Sequence, residues 1–108
     1  SRAVFVDRSQ VNLRLITRFL KPMEGEFTFS TVKGKLPGVL PQLGQGADIV
    51  FMDPPYSSAC IYSWIKDYDW SSIVSPRGVV IAESGGEDFP ERWSSRRYGD
   101  THIHILEV

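Results

Sequence analysis

Short apolar runs and amphipathic stretches alternate along most of this chain. A short run that is apolar at every position predicts a parallel strand buried on both faces. Such runs occupy residues 3–6, 49–52 and 79–82, the last within a predicted strand that ends at Glu83, and an alternating, β-rich stretch predicts a further strand over residues 27–32. The sequence therefore predicts four strands that are separated by longer segments.

The segments between the predicted strands favour helices. Residues 9–20 have apolar side chains at helical spacing, with Ser9 as a capping residue and Pro22 limiting the end of the helix. A short helix is predicted over residues 37–43, and a third helix follows a cap at Ser58. The apolar faces predicted for the first and third helices comprise Val11, Leu15, Ile16, Phe19 and Leu20, and Ile61, Trp64, Ile65 and Tyr68, respectively.

The C-terminal part of the chain has the pattern of a β-hairpin. Residues 93–98 and 101–108 read as strands joined by Gly99 and Asp100, while residues 75–78 read as a turn before the fourth strand. Strands that alternate with helices indicate a parallel sheet with right-handed crossovers. The predicted fold is therefore α/β, with a mostly parallel sheet and a C-terminal antiparallel hairpin.

Composition restricts the setting in which the protein works. The chain has 108 residues, is 42% hydrophobic and has a net charge of −1, so we expect one domain with no general attraction to nucleic acid or anionic membranes. Its single cysteine, Cys60, excludes an internal disulfide and suits a reducing compartment. No run is long enough to span a membrane, and we expect a cytoplasmic protein. Because the chain is already within an apolar run by residue 3, we also expect it to be part of a longer protein.

Acidic residues lie at or next to the ends of three predicted parallel strands. They are Asp7, Asp53 and Glu83. In open α/β sheets, ligands bind beyond the carboxyl ends of the strands. The sequence therefore predicts a site at this edge of the sheet.

The stretch DIVFMDPPY contains the most specific chemical signal. Pro54 and Pro55 remove two N–H donors and fix two φ angles, so the carbonyls of Asp53 and Pro54 can serve as acceptors with no local donors beside them. Tyr56 adds an aromatic wall on which a planar ligand can stack. Acceptors beside an aromatic ring suit a base with an exocyclic amine, which they would hold and make more nucleophilic.

The sequence resembles the RsmD-type methyltransferases across essentially its whole length. The stretches that carry the resemblance are AVFVDRS, DIVFMDPPY, VVIAES and RRYGDTHIHILE, in that order. The resemblance implies a Rossmann-like class I methyltransferase that uses S-adenosylmethionine to methylate guanine N2 in small-subunit ribosomal RNA. It implies that Asp53, Pro54, Pro55 and Tyr56 form the catalytic amine-binding loop.

The resemblance also implies roles on the donor side. Asp7 would bind the ribose of the methyl donor, and Arg8 would flank its adenosine. The family's N-terminal strand and glycine-rich donor loop are not present, so residues 1–108 read as a single partial domain, inactive alone. Lys33 and Lys35 stand where the family usually has an acid or amide near the adenine. Edges left by the missing strand predict self-association.

Simpler roles remain open for the same residues. Asp7 could cap the following helix, and the Asp53 turn could simply end a strand. Adenine N6 is the alternative target, and a non-catalytic interaction module is the alternative class. No metal site is predicted, because His102 and His104 are not joined by further Cys or His ligands. The sequence further favours a buried, unreactive Cys60, a solvated or capping Glu83, a packed Trp93 and a solvated Arg92, Arg96 and Arg97.

Overall fold

The computed structural model describes residues 2–54 and 59–108. Two residues of the predicted amine-binding loop, Pro55 and Tyr56, lie outside the described residues, as does the predicted helix cap Ser58. The chain forms two compact units, Ser1–Leu43 and Gly44–Val108. The prediction of one partial domain stays a prediction.

The first unit is a two-stranded parallel sheet with one α-helix. It comprises β1 (Arg2–Asp7), α1 (Gln10–Leu20) and β2 (Thr28–Lys33), with short 3-10 helices at Lys21–Met23 and Leu40–Leu43. The parallel pairing of β1 with β2 agrees with the sequence pattern. Only the last part of the predicted helix at residues 37–43 is helical, and it is the tighter 3-10 type.

Helix α1 begins and ends where the sequence predicts. The Ser9 hydroxyl accepts a hydrogen bond from the backbone N–H of Asn12 at 3.2 Å, which satisfies one of the unpaired donors of the first turn. The buried face differs from the prediction. Leu13 is 2% exposed, whereas Val11 is 65% and Phe19 71% exposed. Periodicity identifies an apolar face, but the contacts of the unit decide which part of the helix surface is covered.

The second unit is a four-stranded mixed sheet with helix α2. The strands are β3 (Ala47–Met52), β4 (Val74–Ser84), β5 (Ser94–Tyr98) and β6 (Thr101–Glu107), and α2 is Ala59–Asp67. The order is β3-β4-β6-β5, with β3 parallel to β4 and the other two pairs antiparallel. The predicted hairpin is therefore confirmed, with Gly99 at a φ of 62° in its turn.

The turn predicted at residues 75–78 is instead an irregularity within β4. The register with β3 shifts there, and Arg77 has a φ of 71°. A Cβ at Gly78 would lie 2.9 Å from the carbonyl oxygens of both Asp48 and Ser75. The backbone therefore approaches too closely at this point for any other residue, and the pairing resumes beyond it.

The core of the second unit joins α2 to one face of the sheet. Tyr62 and Ile65 on α2 and Val80 and Ala82 on β4 are each fully buried at 0% exposure. Trp70, just beyond α2, is 2% exposed and donates its indole N–H to the Ile65 carbonyl at 3.0 Å. The predicted burial of Ile65 is confirmed, whereas Tyr62 was not predicted as a core residue.

The prediction that β3 is buried on both faces is wrong for the described chain. Ile49 is 65% and Phe51 60% exposed, and these residues share one face of the strand. In the described residues, β3 pairs with β4 alone and β1 with β2 alone. A fully apolar run predicts a strand but does not show what covers its faces. Self-association through these edges stays a prediction.

The described ranges contain neither a candidate membrane-spanning helix nor a metal-binding cluster. None of the helices in residues 2–54 and 59–108 is long and apolar enough to cross a membrane. Within the same ranges, no group of three or more His, Cys, Asp or Glu side chains is placed to hold a metal ion.

Candidate functional site

Asp53 and Pro54 leave the sheet at the carboxyl end of β3. The last pair of the parallel ladder joins Met52 to Ala82, so Asp53 follows β3 where Glu83 continues β4. Asp53 is exposed and Pro54 half-buried. Parallel strands bring their carboxyl ends to the same edge, which is where α/β proteins bind ligands. The structure thus places two predicted site residues beside the end of the neighbouring strand.

Helix α2 is fastened to that same end of β4. The buried Tyr62 hydroxyl donates a hydrogen bond to the Glu83 carbonyl at 2.9 Å. This bond links the helix that follows the Asp-Pro-Pro-Tyr stretch to the strand beside it. The two ends of that stretch, β3 and α2, are therefore both fixed relative to β4.

A chain of polar side chains, buried at two of its three members, lies at the end of β4, and sequence reasoning missed it. His104 on β6 contacts two hydroxyls: Ser84 Oγ lies 2.7 Å from Nε2, and Ser95 Oγ lies 2.6 Å from Nδ1. Ser84 is 0% and His104 1% exposed. We call Ser84, His104 and Ser95 the serine–histidine chain. The alternation of THIHILE places His104 on the inward face of β6, which is the signal that could have indicated its burial.

Burial favours the neutral form of His104. Desolvation lowers the pKa of His104 below its ordinary value of 6.5, and the nearby charges of His102 and Lys66 lower it further. Glu87 opposes these effects and raises the pKa. Desolvation is the largest cause, because removing the ring from water disfavours its charged form.

Aromatic rings cover the serine–histidine chain from the segment that follows β4. The Phe89 ring stacks on the His104 ring with 3.8 Å between centroids and also packs edge-on against Trp93 at 5.0 Å. Lys66 on α2 lies 5.4 Å from the Phe89 centroid and 3.6 Å from the Glu87 carboxylate. Residues 85–93, which we call the post-β4 segment, are thereby packed against α2 and β6. Trp93 is buried as predicted, at 4% exposure.

Asp7 lies at the end of β1 in the first unit, followed by the exposed Arg8. One Asp7 carboxylate oxygen accepts from the Ser9 backbone N–H at 2.7 Å, and the other accepts from the Asn12 amide at 3.4 Å. The alternative that Asp7 caps α1 is wrong, because Ser9 is the capping residue, although Asp7 does hold the turn before the helix through these two bonds. A carboxylate has about four lone-pair sites, so acceptor capacity remains for the two hydroxyls of a ribose. The residues present fit a nucleoside donor on this count.

Lys33 lies directly across the parallel ladder from Asp7, at the end of β2. A cation at this position favours a negative charge nearby and does not accept hydrogen bonds. The lysine that stands in place of the expected acid or amide therefore lies at the same sheet edge as Asp7.

Two other predicted surface roles have different outcomes. Cys60, predicted as buried, is exposed at the start of α2, because the buried face of the helix is centred on Tyr62 and Ile65. Arg96 and Arg97 lie on β5, whose residues are all exposed, in agreement with the predicted solvated cluster. Arg92 is also exposed and donates a hydrogen bond to the Lys66 carbonyl.

The fold of the chain is similar to that of several solved structures. A hypothetical protein of Thermus thermophilus is 20% identical with a TM-score of 0.78, over 99% of this chain and 63% of that one. The "Putative methyltransferase yhhF" of Escherichia coli is 17% identical with a TM-score of 0.72, over 96% of this chain and 60% of that one. A "putative methylase" of Haemophilus influenzae is 18% identical with a TM-score of 0.65, over 96% of this chain and 72% of that one. At these identities the comparison shows the α/β fold, and the chain spans less than two thirds of the first two proteins.

A family model extends the comparison from fold to sequence. The model described as Conserved hypothetical protein 95 matches residues 1–107. The chain therefore belongs to this family. A search of curated proteins gave no match.

Proposed function

We propose that this chain carries the amine-holding part of a methyltransferase that uses S-adenosylmethionine and acts on guanine N2 in small-subunit ribosomal RNA. The observation that carries the proposal is the position of Asp53 and Pro54, at the carboxyl end of β3 beside the end of β4. Membership of the family and the methyltransferase names of two proteins with this fold support the class of reaction. The RsmD-type resemblance supports the guanine target.

The proposed chemistry depends on acceptors at a fixed strand end. The Asp53 side chain and the Pro54 carbonyl accept the two hydrogens of the base amine, and Pro54 itself has no N–H to compete. Holding both hydrogens directs the nitrogen lone pair away from them, towards the methyl group. The N–C bond would form as the S–C bond breaks and the neutral thioether leaves, and the nitrogen would then pass one proton to the Asp53 carboxylate or to water. Catalysis of this kind is mostly positioning and electrostatics.

The RsmD-type resemblance also supports donor-binding roles for two residues of the first unit. When bound, S-adenosylmethionine supplies a methyl group on a positively charged sulfur. Asp7 would hold the ribose hydroxyls with the acceptor capacity that Ser9 and Asn12 leave free, and the exposed Arg8 would flank the adenosine. Pro55 and Tyr56 complete the amine-binding loop in the proposal, with Tyr56 stacking on a base that is extruded or unpaired.

Methylation of defined substrates tests the proposal. The complete protein is incubated with radiolabelled S-adenosylmethionine and with unmodified small-subunit ribosomal RNA, assembled small subunits or DNA. The products are digested to nucleosides and identified by mass spectrometry. We expect N2-methylguanosine from the ribosomal substrate.

A variant pair tests the role of Asp53. Asp53→Ala should reduce kcat by about 10²-fold or more, the usual effect of removing one preorganised hydrogen-bonding group. Asp48→Ala is the matched control, because Asp48 is an exposed aspartate on the same strand, away from its carboxyl end. Equal rates for the two variants would remove Asp53 from the site.

N6-methyladenine as the product of the substrate assay would replace guanine by adenine as the target. No methylation of any substrate would favour the interaction module.

A further inference from the structure

The first residues of the post-β4 segment are attached to the end of β4 through one hydroxyl. The backbone N–H groups of Gly86 and Glu87 both lie 3.3 Å from Ser84 Oγ. The same oxygen lies 2.7 Å from His104 Nε2. Ser84 is therefore the point at which β4, the segment beyond it and the buried imidazole meet.

Counting donors and acceptors assigns the protons in this arrangement. A serine hydroxyl has two acceptor lone pairs and one donor hydrogen. The two backbone N–H groups occupy both lone pairs of Ser84, so its hydrogen points to Nε2 of His104. That nitrogen must then be the acceptor of a neutral ring, and Nδ1 carries the ring proton and donates it to Ser95 Oγ at 2.6 Å.

We infer that His104 is a positioning residue whose neutral form holds the post-β4 segment at the carboxyl edge of the sheet, and whose protonation releases it. A protonated ring has N–H groups at both nitrogens. Its Nε2–H would then face a Ser84 oxygen whose lone pairs are already occupied. The Ser84 hydrogen must turn away, and at least one of the Gly86 and Glu87 N–H groups must give up its acceptor.

Several ionisable groups surround the imidazole and set the pH range over which it titrates. His102 lies on the same strand, with 6.4 Å between the ring centroids, and Lys66 approaches from α2. Glu87 belongs to the post-β4 segment itself and opposes the effect of these two groups on the pKa of His104. Because Glu87 and Lys66 lie 3.6 Å apart, release of the segment would also separate this ion pair.

The position of the segment gives the release a consequence for the site. Ser84 is two residues beyond Ala82, which pairs with the last residue of β3 before Asp53. The post-β4 segment thus leaves the sheet beside Asp53 and Pro54. Resting on the proposed function, this segment forms one wall of the base site and is ordered only while His104 is neutral.

Nuclear magnetic resonance of the isotopically labelled protein tests the attachment without any activity assay. The ring nitrogen shifts of His104 report its tautomer, and hydrogen exchange reports the protection of the Gly86 and Glu87 N–H groups, both followed from pH 8 to acid. We expect the Nδ1–H tautomer at pH 8. As His104 titrates, the protection factors of the two amides should fall roughly fivefold or more, the effect expected for losing one hydrogen bond.

Two variants separate the attachment from general effects of pH. Ser84→Ala should lose the protection of both amides at every pH. His102→Gln should keep the protection and shift its loss to higher pH, because one of the groups that lower the pKa of His104 has been removed. If Ser84→Ala does not fold, the amide protection of the wild-type protein, followed through the titration of His104, still tests the attachment. The Nε2–H tautomer, or amide protection that does not follow the titration of His104, would overturn the inference.

A methylation assay then tests the effect on the site. Ser84→Ala should raise the KM for RNA with little change in kcat, whereas His102→Gln should resemble the wild type at pH 8. Unchanged KM in a folded Ser84→Ala variant would overturn the positioning role. If the wild-type protein methylates nothing, the proposed function fails, while the resonance measurements still report independently on the attachment.

Discussion

Replacing Tyr62 by phenylalanine removes the hydrogen bond that fastens α2 to the end of β4. The side chain is fully buried, and its hydroxyl lies 2.9 Å from the Glu83 carbonyl oxygen. Phenylalanine keeps the ring and therefore keeps the apolar packing of the helix on the sheet. The substitution removes the hydroxyl and leaves no large cavity.

The magnitude follows from the burial of this contact. A typical hydrogen bond contributes about 1 kcal/mol net, and breaking one whose donor side chain is fully buried costs more. We therefore expect Tyr62→Phe to lower the free energy of unfolding by about 1–2 kcal/mol. In a domain of roughly 60–100 residues, each 1 kcal/mol lowers the Tm by roughly 4–8 °C.

Urea and thermal unfolding monitored by tryptophan fluorescence measure the effect, since Trp70 packs beside α2. The urea midpoint should fall with an unchanged slope, which indicates a loss of stability and not a change in the surface exposed. Tyr98→Phe is the matched control, because Tyr98 is 60% exposed and the same hydroxyl is removed there. If Tyr62→Phe were as stable as Tyr98→Phe, the link between α2 and β4 would not contribute to stability.

Three further changes test other parts of the structure by the same unfolding measurements. Gly78→Ala should destabilise the second unit by about 1–3 kcal/mol, because the new Cβ would overlap with backbone oxygens, whereas Gly38→Ala, with 3.5 Å to its nearest neighbour, should have little effect. Ser9→Ala should cost about 1 kcal/mol through loss of the helix cap, and an unchanged urea midpoint would contradict this. The contribution of neutral His104 to the free energy of unfolding should be fully present above pH 6.5. It should decline as the pH falls from there towards the lowered pKa of His104, because the unfolded chain binds the proton more readily. The His102→Gln variant should retain this decline, and a flat pH profile for the wild type would contradict the prediction.

The local features of the fold could be predicted because short stretches of sequence determine them. Ser9 caps α1 as expected, and Gly99 forms the hairpin turn as expected. The parallel strands were also identifiable, since a short apolar run bounded by polar residues has few other interpretations. Asp53 and Pro54 could be placed at a strand end for the same reason.

The errors concern what covers each face and which distant residues meet. The apolar side chains of Ile49 and Phe51 indicated burial, yet both are exposed, because the pattern along a strand does not reveal its partners. Ser84 and His104 are 20 positions apart along the chain, a separation at which no local pattern identifies a pair, whereas Ser95 and His104 lie opposite each other in the predicted hairpin. Long-range polar contacts of this kind become visible only once the strands are in register.

The exposed Cys60 offers an experimental access point to the site. It is the single thiol of the chain and lies in the first turn of α2, close in sequence to Asp53 and Pro54. A maleimide probe would therefore attach at one known position without prior mutagenesis. A fluorescent or spin label at Cys60 would report the approach of RNA to this end of the helix in real time. The residue that the sequence suggested was buried is thus the natural reporter for the proposed substrate.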